Sequence, residues 1–184
     1  MELNPDPFTL LFTLLGIASA SLVFLDLLFR ITKVDVLRKF VGPIKLELIT
    51  AVALTSMGGS LFFSEVLNFE PCYLCWVQRG LMYPAAIFLL IESLVVNFAN
   101  KPTGALIGGR LKNLNIGVVL AVFLSVPGFA VAAFHRYDQS VESELSFCDA
   151  AVPCSTKWFN TFGFFSIPAL AAIGFATISY FGFQ

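Results

Sequence analysis

Five apolar runs alternate with polar stretches along the chain. The first extends from Phe8 to Phe29, long enough to cross about 30 Å of hydrocarbon as a helix. It follows Met1-Glu2-Leu3-Asn4-Pro5-Asp6-Pro7, an acidic and helix-breaking start. The second runs from about Leu46 to Leu67 through the small-residue patch Ser56-Met57-Gly58-Gly59-Ser60, which predicts close helix packing. The third covers about Trp76 to Phe98, and the fourth about Leu114 to Phe134, ending at His135-Arg136. The fifth covers about Phe162 to Phe181. Ala18-Ser19-Ala20 looks like a signal-peptidase site, but no positive start precedes it and the hydrophobicity continues beyond it. The first run is therefore expected to stay as a transmembrane helix.

The polar stretches set the sidedness. Arg30, Lys33, Arg38, Lys39 and Lys45 face one acid, Asp35, and the linker after the third run holds Lys101, Arg110 and Lys112 without an acid. By the positive-inside rule both loops are cytoplasmic, which puts the N-terminus outside and the C-terminus inside. Asp26, Glu47 and Glu92 then fall toward cytoplasmic helix ends, where ionisable groups are expected to reach water, and Glu65 toward the outer face. With 58% hydrophobic and 12% charged residues in 184, the chain lacks the charges to coat a soluble globule. A net charge of -1 and the absence of a basic run give no nucleic-acid signal. The expected fold is an all-α integral membrane protein: a four-helix transmembrane bundle over residues 45–184, preceded by one extra N-terminal transmembrane helix and a basic loop over residues 1–44.

The chemistry sits in the two outer loops. Glu70-Pro71-Cys72-Tyr73-Leu74-Cys75-Trp76-Val77-Gln78-Arg79 places a Cys-x-x-Cys at the mouth of the third run. With a helix starting near Pro71, Cys75 and Arg79 share a face at i and i+4. A helix N-terminus and a cation both stabilise a thiolate, the reactive form. Cys148 and Cys154 form a second pair, in a loop with Asp138, Glu142, Glu144 and Asp149. A disulfide there is open to exchange through a mixed intermediate: a partner's dithiol reduces it and Cys72-Cys75 reoxidises it. The electrons then leave from Cys75 at the membrane surface, where a lipid-soluble quinone fits. Arg79 is placed to favour the Cys75 thiolate and to bind a quinone oxygen, and His135 to donate a hydrogen bond or relay a proton. Segments such as Val141 to Phe147 or Trp158-Phe159 are candidates for a surface helix that keeps the pairs close.

Other readings compete. A non-enzymatic membrane protein with structural disulfides leaves the spacing of Cys75 and Arg79 unexplained. Zinc held by all four cysteines is disfavoured by the loose second spacing, so no metal is expected. Arg79 snorkelling to the interface and a solvated His135 remain the plain alternatives for those two residues.

The order of these features resembles the DsbB family of membrane thiol:quinone oxidoreductases, most closely its BdbC branch. The resemblance runs from about Leu46 to the end. It is carried by Phe63-Ser64-Glu65, Phe69 to Arg79, Met82-Tyr83-Pro84, His135, Pro153-Cys154-Ser155-Thr156-Lys157-Trp158-Phe159, Gly163 and Pro168. It implies that Cys148 takes the mixed disulfide with the partner, that Cys154 resolves it and exchanges with Cys72, and that Cys75 faces the quinone with Arg79 beside it. It further implies a DsbA-like thioredoxin-fold partner, ubiquinone or menaquinone as acceptor, and a multi-pass location in the prokaryotic inner or plasma membrane. The N-terminal helix departs from the four-helix pattern. The short spacing of the second pair limits how far Cys154 can move from Cys148.

Overall fold

Inside a bilayer every backbone N–H and C=O must find its partner within the protein, so long apolar runs become helices. A computed structural model describes residues 7–32, 41–99, 116–141, 153–156, 158 and 160–184, and its elements are helical. α1 spans Pro7–Ile31, α2 Lys45–Glu65, α3 Tyr73–Ala99, α4 Ile116–Val141 and α5 Ile167–Gly182, with a 3₁₀ turn at Gly42–Ile44 leading into α2. The first four are long and apolar enough to cross a membrane, and α5 is a shorter apolar helix. The chain is thus an all-α, multi-pass membrane protein. Cys148, Glu142, Glu144, Asp149, Lys33, Arg38, Lys39, Lys101, Arg110, Lys112 and Phe159, with residues 142–147 of the expected surface helix, lie outside the described residues.

α2, α3, α4 and α5 pack in sequence and α5 closes back on α2, while α1 lies against α5. The interior is built from small residues and a few large ones: Ala53, Ala85, Ala86, Ala121 and Ala132 surround Leu89, Phe175, Ile178 and Phe181. Lipid tails are as apolar as a leucine, so close approach rather than apolar burial holds such helices together. At Gly128 a Cβ would run into the Phe175 ring, which shows how near α4 and α5 come. The large apolar side chains Phe24, Leu94 and Phe123 point outward, as a lipid-facing surface requires.

Three helix ends differ from the sequence expectation. α3 starts at Tyr73, two residues after Pro71, and α4 continues past His135-Arg136 to Val141. α5 starts at Ile167 rather than near Phe162 because Phe162 (φ 54°) and Gly163 (φ 73°) are left-handed. The resulting turn is closed by hydrogen bonds in both directions between Thr161 and Phe165, and Pro168 enters the first turn of α5.

Asp26 also differs. It does not reach water but is 3% exposed, and its Oδ2 accepts from Arg30 Nε at 2.8 Å, Tyr180 OH at 2.7 Å and Gln184 Nε2 at 3.2 Å. This knot pins the inner half of α1 to the end of α5. Asp26→Ala leaves three donors without their acceptor, a loss of about 2–3 kcal/mol. A drop of roughly 4–12 °C in the melting temperature of the detergent-solubilised protein is expected.

Candidate active site

The site begins where α3 begins. The Cys72 carbonyl accepts the Trp76 N–H at 3.1 Å, so Cys72 caps the helix and its sulfur lies at the positive end of the helix dipole. One turn on, Cys75 Sγ is 3.1 Å from Cys72 Sγ. Both are thiols, whereas Cys154 is disulfide-bonded. Cys72 and Cys154, 5% and 2% exposed, share one buried cluster with Leu74, against which Cys75 and Val131 pack. The stretch before α3 and the stretch before α5 therefore meet at Cys72 and Cys154.

α4 provides the hand that joins them. The extra turns beyond the expected helix end carry Arg136 and Gln139, which reach the second loop: Arg136 Nε donates to the Phe164 carbonyl at 3.3 Å and Gln139 Nε2 to the Thr156 carbonyl at 3.0 Å. Between them His135 is 1% exposed. Its Nε2 lies 3.1 Å from the Cys154 carbonyl and 3.6 Å from Cys72 Sγ, and its Nδ1 lies 2.8 Å from Gln78 Nε2. An amide nitrogen only donates and a carbonyl only accepts. Nδ1 is therefore the acceptor, and Nε2 carries the proton toward Cys154 and Cys72. His135 thus stands between Cys72 and Cys154.

The Cys72 thiol is held well below the ordinary cysteine range, first by the hydrogen bond from Cys75 and then by His135, against the opposing effect of burial. Two sulfurs at 3.1 Å share one proton, which makes the first ionisation of the pair easy. Arg79 makes its hydrogen bonds to α2. Its Nε and Nη2 donate to Ser60 Oγ and the Ser60 carbonyl, both at 3.0 Å, and its guanidinium lies 5.2 Å from the centroid of the Trp76 ring. The Tyr83 hydroxyl also reaches Ser60 Oγ, at 3.4 Å.

Two cavities flank the dithiol. A small one, about 10 Å³, is lined by Cys72, Cys75, His135 and Gln139 on the side of the second loop. A large one, about 320 Å³, is bordered at one end by Glu70, Cys75, Gln78 and Arg79 and runs from there between α1, α2 and α5. Cys75, Trp158 and Ile167 line both. Phe63, Phe69 and Trp158 form a continuous stack, with centroids 6.0 and 4.9 Å apart and planes within 8°, which roofs the large cavity and ties the loops together. The ligand atoms of Cys72, Cys75 and His135 lie within 4.8 Å of one another.

A family model, Disulfide bond formation protein DsbB, matches residues 45–182. The chain belongs to the DsbB family. It is 37% identical over 132 residues to Disulfide bond formation protein C of Bacillus subtilis (strain 168), covering 71% of this chain and 83% of that protein. It is 34% identical over 136 residues to a probable disulfide formation protein of Oceanobacillus iheyensis, covering 72% of this chain and 82% of that one. No solved structure matches it. This DsbB-family chain is thus a disulfide-forming membrane oxidoreductase, and α1 lies outside the matched region.

Of the site residues expected from sequence, Cys72, Cys75, Cys154, Arg79 and His135 gather at the N-terminal end of α3, and Cys148 lies outside the described residues. His135 sits on the thiol-exchange side, beside Cys72, and does not line the large cavity. Sequence reasoning missed Gln78, which orients His135, and Ser60, which holds Arg79. Gln78 stands one residue before the arginine in the quoted motif. Ser60 belongs to the small-residue patch, which here both packs helices and lines the cavity.

Proposed function

We propose that this protein reoxidises an extracytoplasmic DsbA-like thioredoxin-fold oxidase at the expense of a membrane quinone, ubiquinone or menaquinone. The reading rests on Cys75, which borders both the thiol-exchange cavity and the large apolar one. Cys148, the remaining cysteine of the chain, is the disulfide partner of Cys154 and takes the mixed disulfide with the oxidase. Both cysteine loops face outward, in keeping with the basic stretches that hold the other loops inside.

The cycle balances as three two-electron exchanges. The partner's dithiol becomes a disulfide as Cys148–Cys154 opens to two thiols. Cys154 then attacks Cys72, expelling Cys75 as thiolate, and Cys148 resolves the Cys72–Cys154 bond, restoring the loop disulfide and leaving Cys72 and Cys75 reduced. Finally the Cys72–Cys75 pair passes two electrons and two protons to the quinone and closes its own disulfide. Arg79 neutralises charge on the quinone oxygen, and His135 donates its Nε2 proton in a hydrogen bond to the Cys72 thiolate.

The test is quinone reduction by the purified protein with a reduced DsbA-like partner. Wild type is expected to turn over. Arg79→Ala is expected to raise the quinone KM about tenfold, the loss of one hydrogen bond from a charged donor, with a smaller fall in kcat. Absence of turnover in wild type across ubiquinone and menaquinone analogues would overturn the reading.

A further inference from the structure

The large cavity is not made by the four-helix unit alone. Its length is set by lining residues of α2 from Ser60 to Leu48, about 18 Å at the helical rise. Along that length α1 contributes Phe12, Leu15, Gly16, Ala18, Ser19 and Leu22, a stripe at helical spacing. α1 is fitted to this position by contacts at several depths. A Cβ at Gly59 would sit 2.7 Å from the Phe12 ring, and one at Gly16 would sit 2.6 Å from Leu170 Cδ2. Ser19 Oγ pairs with Thr177 Oγ1 at 2.8 Å, and the Asp26 knot holds the inner end. Without α1 the groove between α2 and α5 would open to lipid along its whole length.

The two ends of the cavity differ chemically. Glu70, Cys75, Gln78 and Arg79 stand at the outer end, and Leu22, Leu48, Ala51 and Val52 at the inner end. Of the hydroxyls along the way, Ser56 is committed to the Val52 carbonyl and Thr177 to Ser19 and the Ile173 carbonyl, all at 2.8 Å. Such a site fits a redox-active polar head at Cys75 and an extended apolar tail behind it. A polar substrate would lose its hydration and gain little in return there.

We propose that α1, outside the family-matched region, is the tail wall of the acceptor cavity, so that this chain selects a quinone by its isoprenoid tail as well as by its head. The assignment rests on the quinone reading above. The tail comes from lipid that is as apolar as the wall, so the wall discriminates through close contacts that fluid lipid does not match rather than through apolar transfer, and a tail-less acceptor forgoes those contacts.

The experiment compares menadione, which has no tail, with a menaquinone carrying four isoprene units. The proteins are the full-length wild type, Ala18→Phe, which fills the cavity from α1, and the double variant Leu15→Ala/Leu22→Ala, which strips the wall. Expected is a fall of about fivefold or more in the ratio of kcat/KM for the tailed over the tail-less quinone in both variants, from the lost or blocked contacts with the wall. Single-turnover oxidation of a reduced DsbA-like partner, without added quinone, monitors folding and the thiol relay independently of the cavity. A ratio that stays at the wild-type value in variants with an intact relay overturns the tail wall and leaves the quinone reading standing, with an ordinary lipid chain as the occupant of the cavity. Wild type that oxidises its partner once but reduces neither quinone overturns the quinone reading itself. Should Ala18→Phe lose the single-turnover step, the double variant, which adds no bulk, decides the outcome.

Discussion

Cys75→Ser abolishes steady-state quinone reduction, a fall of roughly three orders of magnitude or more to background, while the protein still takes electrons from its partner. Among the described residues its thiol is the one sulfur that borders both cavities. Serine keeps the size and a hydrogen bond to Cys72 but forms no disulfide, so the pair cannot close and its two electrons have no exit. The relay then stops after one exchange. With Cys75 absent, Cys72 remains buried beside Cys154, and a Cys72–Cys154 bond is expected to accumulate when the protein is oxidised. Mass spectrometry of the non-reduced, digested protein identifies that cross-link. Full turnover in the serine variant would remove Cys75 as the electron exit.

His135→Ala has the second-largest effect, and its signature is in the pH dependence. In the resolving step Cys72 departs as a thiolate, and a leaving thiol of low pKa departs faster. The Nε2 hydrogen bond at 3.6 Å is one of the contributions that hold Cys72 below the ordinary range. A hydrogen bond to a charged group is worth about 1.5–3 kcal/mol, or roughly one to two pH units. In the reduced protein the Cys72 thiolate absorbance is therefore expected to appear at higher pH by about that amount, and the resolving step to slow by about 10- to 100-fold. The sign extends to stability. A thiol whose folded value lies below its unfolded one stabilises the fold above the unfolded value and loses that contribution as pH falls through the folded one. His135→Ala shrinks this gain. A Gln78 variant that retains His135 but frees Nδ1 should move the same profile in the same direction, because Gln78 is what turns Nε2 toward Cys72. An unchanged thiolate profile in His135→Ala would leave the histidine a packing role only.

Much of the site was written locally. The Cys-x-x-Cys, the arginine one turn later and the histidine near the end of the fourth run are short-range patterns, and each marks its residue as chemically unusual. What each residue touches was not local. Arg79 was expected to serve Cys75 because i and i+4 residues share a helix face. Its hydrogen bonds go to Ser60 on another helix, where two acceptors are offered at once, a partner that spacing along one helix does not reveal. Asp26 was expected to find water because it lies near a helix end. It is buried because Tyr180 and Gln184, more than 150 residues away in sequence, supply donors that replace hydration.

The sequence by itself determined the elements that hydrocarbon demands: apolar runs of membrane length, their order, and the two cysteine pairs between them. Those follow from composition and spacing along one strand of chain, since a helix in lipid satisfies its backbone from within. That His135 faces Cys72 rather than the large cavity, that Cys75 stands between two cavities, and that α1 lines one of them came only with the packing of the helices. Those are outcomes of helix rotation and close approach, set by which glycine admits which ring and which donor meets which acceptor across the bundle.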